Sequence, residues 1–156
     1  MKRFFVLILV FCCISTGFAQ KRDFKKLKID QDSKLVMFLN SFLDAVEEHR
    51  WNDVMNYFDE TNYQIQHESG IEQPQFIEEG MGLGMVDNHL VDRPKDQSDF
   101  HRLNGIVAIT LEKLTRDGNS VTIMGKVKLF DKSTRKVTLY LTRKDSGDYI
   151  ITPAVG

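Results

Sequence analysis

From residue 103 onward, four stretches alternate apolar and polar side chains, and loops of only four or five residues separate them. Residues 103–115, 120–130, 135–143 and 149–153 read as strands. Asp117-Gly118-Asn119, Asp131-Lys132-Ser133 and Asp145-Ser146-Gly147-Asp148 read as the turns between them. Loops this short cannot carry a parallel crossover, so the four strands form an antiparallel meander. Val121, Ile123, Val127 and Leu129 alternate with Thr122, Met124, Lys126, Lys128 and Phe130. Val137, Leu139 and Leu141 alternate with Thr138, Tyr140 and Thr142. One face of the sheet is therefore apolar and the other mixed. The apolar face needs a cover, and helices from the first half of the chain are the available one. The expected class is α+β, with N-terminal helices packed on a curved antiparallel meander.

The first half supplies those helices. Over residues 32–50, Leu35, Phe38, Leu39, Phe42 and Val46 fall on one helical face, with Asp32 or Ser33 as N-cap and Glu47 and Glu48 on the wet side. A second helix is expected from Asn52 to about Glu60, with Val54 and Phe58 sharing a face and Trp51 closing the corner. Alternation of Tyr63 and Ile65 with Asn62, Gln64 and Gln66 reads as a short strand over 62–68. Pro74 suits the first turn of a third helix carrying Phe76, Ile77, Met81, Leu83 and Met85. Gly80, Gly82 and Gly84 weaken that helix unless it packs closely or bends. Residues 88–100 form a polar connection between the helical and sheet halves.

The N-terminus gives an address. Lys2 and Arg3 precede an apolar run over residues 4–14, and Gly17-Phe18-Ala19 places small residues where a signal peptidase reads. Residues 1–19 are read as a signal peptide, cut before Gln20, because the run falls short of the roughly 20 residues of a membrane span. The alternative is a retained anchor. Localisation is then exported, periplasmic or extracellular. Cys12 and Cys13 leave with the signal, and neither sits in a lipoprotein context. The remaining 137 residues contain no thiol, which excludes a disulfide, a cysteine nucleophile and a thiolate metal site. They carry 19 basic and 22 acidic side chains, a formal charge of −3, and nothing marks the whole as a nucleic-acid binder. No later apolar run reaches span length, so no integral membrane segment is expected after signal removal. Residues 20–31 hold Lys21, Arg22, Lys25, Lys26 and Lys28 and read as a basic, flexible tether; its alternative role is attraction to anionic lipid head groups. Residues 32–156 are read as one domain.

The order helix, helix, short strand, helix and four-stranded meander, with residues 42–58 (FLDAVEEHRWNDVMNYF) forming an amphipathic helix, a charged corner and a second helix ending in an aromatic, resembles the nuclear transport factor 2-like (SnoaL-like) superfamily. The resemblance implies a curved sheet wrapped round the helices as a cone, with a pocket at the open end. Some members are isomerases, dehydratases or cyclases, others bind ligands or partners without chemistry, and fold alone does not choose between them. No branch-specific motif is present, so no catalytic residue is carried over.

Candidate chemistry is sparse. Gly80-Met81-Gly82-Leu83-Gly84 lacks the spacing, preceding strand and Gly-Lys-Ser/Thr ending of a phosphate loop. Asp87, His89, Asp92, Asp96, Asp99 and His101 cluster in sequence but match no zinc or calcium spacing, and read as a solvated connection. His101, just before the first long strand, could act as acid or base with Asp99 or Tyr63, or serve as a hydrogen-bonded structural histidine. His49 ends the first helix, where an imidazolium suits the negative end of the dipole. The candidate ligand-binding residues are Tyr57, Tyr63, Met81, Met85 and His101. Met124, Phe130 and Tyr140 on the mixed sheet face suggest a partner surface, and the resemblance, whose members often dimerise through the sheet, implies a homodimer through that face. The expected function is an exported, non-catalytic module that binds an apolar small molecule or a protein, with no cofactor and no metal. The alternative is a cofactor-free isomerase or dehydratase using His101.

Overall fold

The computed structural model describes residue 22 and residues 24–29, 31–83 and 103–152. Among the described residues, four α-helices precede the sheet: α1 (Ser33–Glu47), α2 (Trp51–Met55), α3 (Glu60–Glu68) and α4 (Gln73–Gly80). The strands are β1 (Ile106–Asp117), β2 (Ser120–Leu129), β3 (Thr134–Arg143) and β4 (Tyr149–Ile151). They pair antiparallel in the order β1-β2-β3-β4, forming a curved sheet that does not close into a barrel. The class is α+β, as the alternation and the short turns predict.

One sheet face is covered. Val121, Ile123, Val127, Val137, Leu139 and Leu141 are at most 2% exposed. They meet Leu39, Phe42 and Leu43 of α1 and Phe76 and Ile77 of α4 in one apolar cluster. α1 starts where Asp32 Oδ1 accepts the Leu35 N–H at 3.0 Å, as the N-cap reading required. It ends in a Schellman motif: the Arg50 N–H reaches the Ala45 carbonyl and the His49 N–H the Val46 carbonyl. His49 takes the left-handed position, φ 57°, that usually falls to glycine. Its ring compensates by donating Nε2–H to the Ile106 carbonyl at 2.8 Å and stacking on Trp51. Trp51 closes the corner with its indole N–H on Asn104.

Four expectations are corrected. The predicted strand over 62–68 is helix α3. Asp59 caps it through the Asn62 N–H at 3.0 Å, Glu60 and His67 suit the two ends of its dipole, and none of its residues is buried. Short alternation on a surface helix imitates a strand because no apolar face is needed to hold it. The second helix stops at Met55 rather than near Glu60, because Tyr57 and Phe58 join the sheet: the Ile151 N–H donates to the Tyr57 carbonyl at 2.7 Å and Phe58 forms a parallel bridge with Ile151. Residues 22–29 do not behave as a flexible tether. Phe24, Leu27 and Ile29 are buried, the turn Lys25–Leu27 packs on β1, and the Arg22 guanidinium binds Asp44 and Glu47. The lysines between these apolar residues mask them in a charge count. Glu47 is not on the wet side: its Oε1 accepts the edge N–H of Ile109 at 2.9 Å. An edge strand presents such donors, and α1 crosses it where a carboxylate can reach.

Two glycines explain how α4 docks. A Cβ at Gly80 would stand 2.1 Å from the Phe58 ring. Gly82, at φ 64°, lies against the Thr138 backbone, whose N–H donates to the Met81 carbonyl at 3.1 Å. Close packing and a bend are therefore what the glycines at 80 and 82 serve; Gly84 lies outside the described residues. Among the described residues, no helix is long and apolar enough to cross a membrane.

Candidate functional site

Filling the concave side of the sheet with α1 and α4 leaves one apolar recess, at the end where the β2–β3 hairpin turns. It is a cleft of about 280 Å³ lined by Glu78, Leu83, Gly105, Ile106, Leu129, Phe130, Asp131 and Arg135. Pairing of Ile106 with Leu129 and of Val127 with Arg135 brings the three strand ends together. α4 roofs them. Its buried face repeats through Pro74, Phe76, Ile77 and Gly80, and Glu78 falls on that face, 6% exposed. The Leu83 N–H on the Glu78 carbonyl at 2.8 Å folds the chain back beside the cleft. The walls are thus aliphatic and aromatic, with a buried carboxylate on one side and Arg135 and Asp131 at the rim. A mostly apolar recess with few polar groups is the usual form of a small-molecule site, and this one sits near the lower end of the usual size range. A buried ionisable side chain in a recess is also where sites tend to lie.

The hairpin that forms the rim is rigid. Asp131 Oδ1 accepts the Ser133 N–H at 2.8 Å, the Leu129 N–H meets the Ser133 carbonyl, and Lys132 takes φ 68°. Hydrogen bonds from Ser133 hold the Asp131 carboxyl below its usual range. The Phe130 N–H donates to the Gly105 carbonyl at 2.7 Å, tying the turn to the start of β1.

Of the five candidate ligand residues, Met85 and His101 lie outside the described residues, as do Asp87, His89, Asp92, Asp96 and Asp99. The other three do not line the cleft. Tyr57 packs against Phe38 and Phe42 at 5.3 and 5.5 Å, and burial raises its phenol pKa against the opposing effect of Ser41. Tyr63 meets Phe76 edge to face at 5.0 Å and borders a separate polar depression with Asn56, Asp59 and Gln73. Met81 is fully buried in the core. Glu78, Leu129 and Arg135 were missed as site residues. Only Glu78 left a trace, since it lies four residues after Pro74 and three before Met81, on the apolar face of its helix. Among the described residues, no three His, Cys, Asp or Glu side chains gather as a metal site requires.

A polar cluster occupies the opposite end of the sheet. Asp32 Oδ2 accepts the Tyr149 hydroxyl at 2.6 Å and the Arg116 guanidinium at 2.9 Å. Arg116 also donates to the Tyr149 oxygen at 3.3 Å. Lys34 joins Asp148 at 2.9 Å nearby. This network ties the start of α1 to both outer strands. Comparison with family models, with curated proteins and with solved structures finds no match.

Proposed function

We propose that the protein is an exported, non-catalytic module that binds an apolar small molecule in the cleft beneath α4. The carrying observation is the cleft itself, a recess of about 280 Å³ whose wall includes Leu83, Ile106, Leu129 and Phe130. Apolar walls supply affinity in proportion to the area they cover. The reading includes membership of the nuclear transport factor 2-like superfamily, whose binding members need no chemistry; it rests on the order of helices followed by a meander. A homodimer through the outer sheet face is the weaker reading. Lys113, Lys126, Lys128 and Lys136 lie on that face by register, and two copies meeting there would oppose them.

Aminoanthracene, an apolar fluorophore with one amine, serves as probe. Saturable binding with enhanced fluorescence is expected. Leu129→Trp fills the cleft and should abolish it. Binding that survives Leu129→Trp, or no saturable binding, overturns the proposal.

A further inference from the structure

Charge is unevenly divided between the two halves of the fold. Residues 31–83 hold eleven carboxylates and two cations, whereas residues 103–152 hold nine cations and five carboxylates. Asymmetry of this kind is a mark of proteins that work at a charged surface. Within the sheet half, the cations concentrate at one place. Lys126, Lys128, Lys132, Arg135 and Lys136 are all exposed and belong to the β2–β3 hairpin, with Asp131 as the one carboxylate of that stretch. At its tip stands Phe130, 84% exposed, the most exposed of the large apolar side chains described. Lys126 faces Lys136 across the ladder and Lys128 faces Thr134, so the lysines flank the hairpin behind the phenylalanine.

We infer that the β2–β3 hairpin docks the protein on an anionic lipid bilayer, with Phe130 entering the interface and the surrounding cations meeting lipid head groups. Three observations favour a bilayer over other occupants. An exposed aromatic ring at a hairpin tip suits the boundary between head group and acyl chain, where such rings partition. The backbone that carries the ring is fixed by the Asp131–Ser133 turn and the Phe130–Gly105 bond, so little backbone freedom is lost on insertion. The acid-rich helices lie on the covered side of the sheet, and an anionic surface would turn them away while drawing the hairpin in. A second copy of the chain presents the same cations and is repelled.

The test uses the full chain carrying Phe130→Trp, mixed with vesicles of phosphatidylglycerol and phosphatidylcholine or of phosphatidylcholine alone. The signal reads the tip itself, since the native Trp51 is buried and common to every variant. Tip emission should shift to the blue with the anionic vesicles only, be quenched by brominated acyl chains, and revert at high salt. In the native background, Lys128→Glu and Lys132→Glu should each lower vesicle affinity about fivefold or more, the scale of one cation near such a surface. Phe130→Ser should lower it about tenfold, from the lost apolar contact, while thermal unfolding stays as in the native chain because the ring is exposed. Unshifted, unquenched emission overturns the inference. So does an affinity that Phe130→Ser leaves unchanged, as a soluble polyanion such as dextran sulfate would give. A shift that grows with protein concentration in the absence of vesicles assigns the tip to self-association and also overturns it.

Discussion

Gly125→Ala is expected to cost about 3 kcal/mol, the upper part of the range for overfilled cores, and to lower the thermal midpoint by roughly 10 °C in a chain of this length. Gly125 is buried at the middle of β2, opposite Leu111, where β1 carries an irregularity between Leu111 and Lys113. An added Cβ would stand 2.3 Å from the Thr110 carbonyl oxygen and 3.0 Å from the Leu111 Cα. Both are backbone atoms of the neighbouring strand, so no rotamer change relieves the overlap. Either β1 moves away, breaking the ladder to β2, or the sheet loses the curvature that lets α1 and α4 fill it. Gly80→Ala is a milder case, because its obstacle is the Phe58 ring. Gly105 provides the control: nothing lies within 4 Å of its would-be Cβ and its φ is not positive, so Gly105→Ala should be neutral or slightly stabilising. Thermal unfolding followed by circular dichroism separates the two. A midpoint for Gly125→Ala within a degree or two of native would show that β1 yields at no cost, and would sink the account of the close approach.

The contrast between those glycines marks what a sequence makes legible. The meander could be read because period-two alternation and Gly/Asn/Asp turns are local signals, and the turn between β1 and β2 falls where Gly118 takes φ 55°. α1 could be read because its apolar face repeats for fifteen residues and Asp32 caps it. α3 could not, since a nine-residue surface helix with no buried side chain has no periodicity to display. Residues 22–29 were misjudged because burial of Phe24, Leu27 and Ile29 depends on a strand some eighty residues later. The same holds for Glu47, whose partner Ile109 is 62 positions away. The cleft is the extreme case. It exists only where the ends of α4, β1, β2 and β3 converge, and no one of those segments announces it. Tyr57, Tyr63 and Met81 were plausible by type, but the fold uses them for packing.

Asp32 joins three elements through one side chain, so Asp32→Ala is expected to cost about 2–3 kcal/mol, one lost cap together with a buried phenol left unmatched. The residue caps α1, receives the Tyr149 hydroxyl from β4 and receives Arg116 from β1. Removing it leaves the buried Tyr149 hydroxyl without its carboxylate acceptor, while Arg116, half-exposed, keeps the Tyr149 oxygen. The same geometry makes the contribution depend on pH in a defined direction. Partial burial opposes the Asp32 charge, but the hydrogen bonds from Tyr149, Leu35 and Arg116 outweigh it and hold the carboxyl below 3.8. A carboxyl depressed on folding stabilises above its unfolded pKa, and that stability is lost as pH falls through the folded value. Tyr149 shifts the other way. Burial comes first, the Asp32 contact second, and the phenol titrates above 10.0. A phenol raised on folding stabilises fully below its unfolded pKa and loses that contribution as pH rises through the folded one. The stability gap between the native chain and Asp32→Asn should therefore be full at neutral pH and close on the acid side, as pH falls below the ordinary carboxylate range. Tyr149→Phe should lose its gap on the alkaline side instead. Urea unfolding at a series of pH values reads both. A gap for Asp32→Asn that persists unchanged into strong acid would mean that the carboxyl's charge does not hold α1 to the two outer strands, and that shape alone does.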